Sequence, residues 1–262
     1  MATPKELKQL AGFAKTTARN AGRILMGKSN QRHRIMLKGR VDLVTDADLA
    51  SEKLIIDAVM KKYPDHSILA EEEAARDNNS DFRWVIDPLD GTTNFAHDFP
   101  FFCVSIGLEY KNAIVAGVVY DPVRDEMFHA YRGGGAFLNR KKINVSSQSK
   151  LESALLATGF PYDIGSSRED NLKYFRRFAK KARGVRRAGS AALDLCYLAC
   201  GRFDGFWELK LHPWDTAAAK IIVEEAGGRV TDFEGGKYSI YGKYILAANR
   251  KIHAQMKKIL AG

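Results

Sequence analysis

Leu7, Leu10, Ala14 and Ala21 fall near one face when residues 4 to about 26 are wound at about 3.6 residues per turn, which predicts a first helix. A second helical period starts near Asp46 and runs to Lys62, with Leu49, Ile56 and Val59 inward and Pro64 past its end. Ser67–Ala70 and residues 83–87 are short apolar runs with the length of buried strands. From Phe101 to about Tyr131 the pattern becomes β: Val104, Ile106 and Leu108 alternate, residues 114–120 are rich in β-branched side chains, and Asp121-Pro122 marks a turn. Gly133-Gly134-Gly135 then closes a hairpin or loop.

After about Ile143 strands and helices alternate. Helices are predicted at 168–181, 191–201, 214–226 and 250–260, and strands at 203–209, 228–231 and 244–248. An antiparallel-rich first half followed by an α/β second half predicts layered α and β, with a boundary near residue 142. There is no internal repeat, low-complexity tract or long Pro/Gly/Ser linker. The 262 residues therefore read as a single catalytic domain made of two fused halves, 1–142 and 143–262.

Composition adds limits. Hydrophobic residues make up 45% and charged residues 27%, which suits a globular protein and argues against disorder. No apolar run approaches the roughly 18 residues of a membrane span. Lys5, Lys8, Lys15 and Arg19 break up any signal-peptide core, so a cytoplasmic protein is expected. Cys103, Cys196 and Cys200 read as small apolar side chains rather than a redox or metal set.

The formal net charge is +10 and unevenly placed. Before Val41 the basic residues are Lys5, Lys8, Lys15, Arg19, Arg23, Lys28, Arg32, Arg34, Lys38 and Arg40, against a lone Glu6. A second block, Lys173, Arg176, Arg177, Lys180, Lys181, Arg183, Arg186 and Arg187, contains no acid. Such fields attract phosphorylated metabolites or nucleic acid, although solvated surface explains many of these side chains equally well.

The strongest chemical signal is WVIDPLDGTTNF, residues 84–95. A strand delivers Asp87 at its carboxyl end, Pro88 is expected to stop the ladder, and Asp90 lies three residues on, so both carboxylates can converge. Gly91 permits tight backbone, and Thr92-Thr93 open a helix whose free N–H groups suit a phosphate. Carboxylates beside an anion cradle call for cations between them, and hard divalent ions with oxygen ligands, Mg²⁺ above all, supply that bridge. Taken alone, Asp-Pro and Asp-Gly are ordinary turn dipeptides, and Asp215 at the head of an apolar helix is an ordinary cap or helix-terminal charge. The bland reading weakens because acids recur in matching contexts: Glu71-Glu72-Glu73 also follows a buried strand. No G-x-S-x-G, H-E-x-x-H or Walker A pattern offers another chemistry. His66, His97, His129 and His212 are expected to be structural, because imidazole prefers softer metals.

These residues resemble the inositol monophosphatase family, whose superfamily includes fructose-1,6-bisphosphatases and 3′(2′)-phosphoadenosine phosphatases. Residues 84–95 meet the family's first signature. Trp214, Asp215, Ala217, Ala218, Glu225, Ala226, Gly227 and Gly228 meet its second. SILAEE (67–72), VDLVTDAD (41–48) and RRAGSAALDL (186–195) match in order and spacing, and Ala70 stands where many members carry Gly.

The resemblance implies an α-β-α-β-α sandwich, α+β and α/β in its two halves, and hydrolysis of myo-inositol monophosphate or a related polyol or sugar phosphate. It implies two to three Mg²⁺ per active site, with Mn²⁺ as a substitute, Li⁺ sensitivity and a homodimer. Glu71, Asp87 and the Leu89 carbonyl would hold a first metal, and Asp87, Asp90 and Asp215 a second. Glu71 would hold a third with waters. Thr92 with Asp48 would position and help deprotonate the attacking water, so Thr92, Asp48 and Glu71 are the catalytic candidates. Backbone N–H groups of Gly91, Thr92 and Thr93 would hold phosphate. Asp90, Ala191 and Glu208 would contact substrate hydroxyls, and the cations Arg186 and Arg187 are added as candidate substrate contacts.

Such chemistry suits an uncatalysed reaction that is very slow, because divalent cations acidify water and stabilise a leaving alkoxide. Two alternatives stand beside it: the same chemistry on fructose-1,6-bisphosphate, histidinol phosphate or 3′-phosphoadenosine phosphates, or an RNA- or transcription-associated role for the basic faces.

Overall fold

The computed structural model describes residues 2–29, 35–37 (backbone only), 43–72 and 75–261. Arg32, Arg34, Lys38, Arg40, Val41, Asp42 and Glu73 lie outside the described residues.

The chain opens with helix α1 (Pro4–Lys28), started by a capping box in which Thr3 and Glu6 bond each other's backbone N–H. Strands β1 (Ile35–Leu37) and β2 (Leu43–Thr45) form a small antiparallel pair, and Thr45 caps α2 (Asp46–Lys62). Then come β3 (Ser67–Ala70), β4 (Phe82–Asp90), the short α3 (Thr92–Ala96), β5 (Cys103–Tyr110), β6 (Ala113–Asp121), β7 (Glu126–Tyr131), β8 (Gly135–Leu138) and β9 (Lys141–Lys142). β3 to β9 make one seven-stranded sheet in sequential order, antiparallel except for the parallel β3–β4 pair.

The second half supplies β10 (Leu155–Thr158), α4 (Leu172–Ala179), β11 (Gly184–Arg186), α5 (Ala191–Ala199), β12 (Gly205–Leu209), α6 (Pro213–Glu225), β13 (Arg229–Thr231), β14 (Tyr244–Ala248) and α7 (Arg250–Ala261). Its five strands order as β11-β10-β12-β14-β13. Helices α1 and α2 cover one face of the larger sheet. α5 and α6 lie between the sheets, and α4 and α7 cover the outer face of the smaller one. The result is the α-β-α-β-α sandwich expected from the sequence.

The alanines of the second signature explain how the middle layer closes. α6 runs so near the large sheet that a Cβ on Gly117 would sit 2.3 Å from the Ala218 carbonyl oxygen, and one on Gly107 would sit 2.8 Å from the Ala217 Cβ. Only small residues on both sides permit that approach, and it seats the first turn of α6, with Asp215, beside the end of β4.

Several expectations need correction. Leu49 is 43% exposed, whereas Ala47, Ile55, Ile56 and Val59 are buried together with Asp48, Ser51 and Glu52. The inward face of α2 is therefore partly acidic, and an apolar count misplaces it. Pro88 does not end the ladder: pairing with β5 skips Pro88 and Leu89 at a bulge and resumes at Asp90, opposite Cys103. α4 is shorter than residues 168–181. It begins only after Asn171, whose backbone is left-handed at φ +68°. The Asn171 amide donates to Thr158 Oγ1 and the Gly159 carbonyl, and its Oδ1 accepts from Trp207 Nε1–H. These bonds tie the helix start to the sheet. Strands β10 and β11 have no counterpart in the sequence prediction, and Arg186 ends β11.

Candidate active site

The end of β4, the start of α3, the N-termini of α5 and α6 and the end of β12 line one cavity of about 220 Å³. Glu71, Asp87, Leu89, Asp90, Gly91, Thr92, Thr93, Arg187, Ala191, Glu208 and Asp215 all face it. Asp48 lies beneath, fully buried, and Arg186 is exposed and does not line it.

Each acid is positioned by a local device. At the β4 bulge the Leu89 N–H donates to Asp87 Oδ1 at 3.0 Å. Asp90 reaches the N-terminus of α5. Its Oδ2 accepts from Ser190 Oγ at 2.6 Å and from the Ala192 N–H at 2.8 Å, so the carboxylate meets the positive end of the helix. Ser190 is also the N-cap of α5, with its Oγ accepting from the Leu193 N–H at 3.3 Å. Asp215 accepts from the His212 N–H at 2.7 Å, so it serves as a helix cap and lines the cavity as well.

Gly91 links β4 to α3 at φ +97°, and a Cβ there would sit 2.9 Å from the Phe101 carbonyl oxygen, so both conformation and space demand glycine. The first-turn N–H groups of α3 have no intrahelical acceptors. Thr92 Oγ1 lies 3.1 Å from Asp48 Oδ1 and 3.0 Å from the Leu89 carbonyl oxygen. Asp48 is held in turn by the N–H and hydroxyl of Thr45 through its Oδ2.

Burial, then the charges of Glu71, Asp90 and Asp215, push the Asp87 carboxyl well above its ordinary range. Asp215 is raised by burial, then by Asp90 and Glu71. Burial raises Asp90 to about 6 against the pull of its Ser190, Ala192 and Ala191 hydrogen bonds. Among the described residues no group of three or more His, Cys, Asp or Glu side chains is gathered closely enough to hold a metal ion. The donor set of these acids nonetheless suits a hard divalent cation. It is all oxygen, buried at Asp87 and half-buried at Glu71, Asp90 and Asp215, and mutually repelling, and a cation is what would relieve that repulsion.

The opposite wall carries Glu208, expected from the resemblance, together with groups that the sequence does not single out. Glu208 is raised to about 8 by burial, with Arg187 pulling it down and Asp90 pushing it up. Asp194, Ser190, Gly159 and His212 also line the cavity. Asp194 and Ser190 stand inside the stretch RRAGSAALDL, where a polar residue within an apolar helix was the available signal.

The histidines are mostly structural. His66 Nδ1 accepts from Trp84 Nε1–H in an aromatic stack, and His129 contacts Lys15 and the Asn139 carbonyl. His212 precedes α6 and stacks on Trp214. All three cysteines are free thiols. No helix among the described residues is long and apolar enough to cross a membrane.

Known proteins share the sequence and the fold. The chain is 43% identical over 261 residues to the inositol-1-monophosphatase of Synechocystis, covering 99% of this chain and 91% of that protein. It is 43% identical over 254 residues to Nus factor SuhB of Haemophilus influenzae, covering 95% of each. The solved inositol monophosphatase of Anabaena superposes with a TM-score of 0.90 at 42% identity, over 97% of this chain and 96% of that one. The model of the inositol monophosphatase family matches residues 6–261, and the chain belongs to that family.

Proposed function

We propose that this protein is a Mg²⁺-dependent phosphomonoesterase that hydrolyses myo-inositol monophosphate, and related polyol or sugar phosphates, to the free alcohol and inorganic phosphate. The observation that carries this reading is the single cavity in which buried and half-buried, mutually repelling carboxylates stand beside the first-turn N–H groups of α3.

Glu71, Asp87, the Leu89 carbonyl, Asp90 and Asp215 would hold two to three Mg²⁺, with Mn²⁺ as a substitute. Bound there, the cations supply Lewis acidity toward water and the leaving oxygen. The N–H groups of Gly91, Thr92 and Thr93 bind the phosphoryl oxygens. Thr92 donates its hydroxyl proton to Asp48 and turns a lone pair outward, so that it accepts from the attacking water and aims the water oxygen at phosphorus. Asp48 fixes that direction. The phosphorus–oxygen bond to the alcohol breaks as the water oxygen adds, and the alcohol leaves with a proton. Ala191 and Glu208 face the alcohol, and Arg187 attracts the dianion. Arg186 adds to the field from the surface. The family resemblance implies a homodimer and inhibition by Li⁺.

A phosphate-release screen across polyol, sugar and nucleotide monophosphates tests the reading. Release is expected to be fastest from myo-inositol 1-phosphate and to need Mg²⁺. Release from no phosphomonoester would contradict it. A second reading, an RNA- or transcription-associated role, is favoured by relatives named Nus factor SuhB and by the basic net charge. Salt-dependent RNA binding by the protein would support it.

A further inference from the structure

The wall facing the metal-side carboxylates contains a charge that folding does not explain. Asp194 lies in the first turn of α5, among the buried apolar residues Leu193, Leu195 and Cys196. It is 1% exposed, it lines the cavity, and among the described residues nothing donates to its Oδ1. An unpartnered buried carboxyl oxygen costs stability, and an apolar side chain would serve the packing better. Such a cost persists where a ligand uses the group.

Glu208 shares that wall. Its carboxyl lies so close to residue 159 that a Cβ there would sit 2.1 Å from Oε1, so Gly159 is what lets Glu208 keep its place. Arg187 completes the wall, near enough for its charge to act on both acids. The group is therefore two carboxyls with unspent acceptor capacity and one guanidinium donor. An alcohol hydroxyl both donates and accepts, so adjacent hydroxyls satisfy such a wall. A phosphate dianion only accepts. It would pair with Arg187 but oppose the remaining carboxyl lone pairs.

Building on the phosphomonoesterase reading, we propose that Asp194 is a specificity-determining residue that, with Glu208, accepts hydrogen bonds from substrate hydroxyls and selects a polyol monophosphate over a bisphosphate.

The test compares wild type with Asp194→Asn and Asp194→Ser on three probes: myo-inositol 1-phosphate, cyclohexyl phosphate (a ring without hydroxyls) and fructose 1,6-bisphosphate. In the variants KM for myo-inositol 1-phosphate rises about tenfold, more than kcat falls, from loss of a charged hydrogen bond. The kcat/KM preference for the inositol ester over cyclohexyl phosphate shrinks by a similar factor, and the bisphosphate gains relative to the monophosphate. The melting temperature equals or exceeds that of wild type, because a buried carboxyl with an unpartnered oxygen has gone. An equal loss on all probes, no change in the preferences, or variants that no longer fold would make Asp194 structural and overturn the proposal. If wild type releases phosphate from no probe, the phosphomonoesterase reading itself fails and takes this one with it.

Discussion

Both walls of the cavity are acidic, but they hold their charge differently. On the metal side, Asp87, Asp90 and Asp215 come from strand and helix ends, and each accepts at least one backbone N–H. Their pKa values are raised by burial and, for Asp87 and Asp215, by the charges of Glu71 and Asp90, which a cation would cancel. On the opposite wall Asp194 and Glu208 are raised chiefly by burial, and the neighbouring cation is a side chain of the protein, Arg187. On the function proposed above, one wall would receive an ion, and the other would meet hydroxyls and carries its own counter-charge.

The largest effect that can break this contrast is Asp90→Asn. Asn keeps an acceptor for Ser190 and the Ala192 N–H but removes a charge from the ion-binding wall, so kcat should fall about a thousandfold while the fold is retained. Phosphate-release kinetics with circular dichroism check it.

A smaller effect separates the two neighbouring arginines. Arg187→Glu should raise KM about tenfold more than it lowers kcat, and the effect should shrink with added salt. Arg186→Glu, on a residue outside the cavity, should shift KM by about twofold at most at low salt. Equal effects would show that the field of the whole basic block matters rather than the wall.

The smallest effect is thermodynamic. Because the folded-state carboxyl pKa values lie above their unfolded values, the folded protein binds more protons. That stability is fully present below the unfolded carboxyl pKa and is lost as pH rises through the folded values, about 6 for Asp90 and about 8 for Glu208. Chelated protein should therefore melt about 5 °C lower at pH 8 than at pH 5. Saturating Mg²⁺ should abolish the part of the slope due to Asp87, Asp90 and Asp215. The part due to Glu208 should remain, and differential scanning calorimetry at several pH values resolves the two.

What the sequence made legible follows the same division. The metal-side acids stand in a contiguous strand–bulge–helix segment and at a helix start, so local pattern is enough to single them out. Glu208 and Arg187 were reached through the resemblance and the charge of the basic block, and Asp194 was not reached. Its significance depends on β12 and β10 packing against α5, which no local period encodes. The layered fold was readable because most helices and the antiparallel strands have strong periods. β10 and β11 were not, being short runs of four and three residues paired in parallel at a distance in sequence. Leu49 was misplaced for a chemical reason: α2 turns Asp48 and Glu52 inward, so its buried face is not its most apolar one.

The central claim is that the carboxylate wall works only with a divalent cation. The most direct measurement is phosphate release from myo-inositol 1-phosphate by chelator-dialysed protein as Mg²⁺ is titrated in. The account predicts no turnover without the cation, saturable recovery with Mg²⁺ and, in Asp90→Asn, little recovery at any concentration. Full turnover in the presence of excess chelator would contradict it.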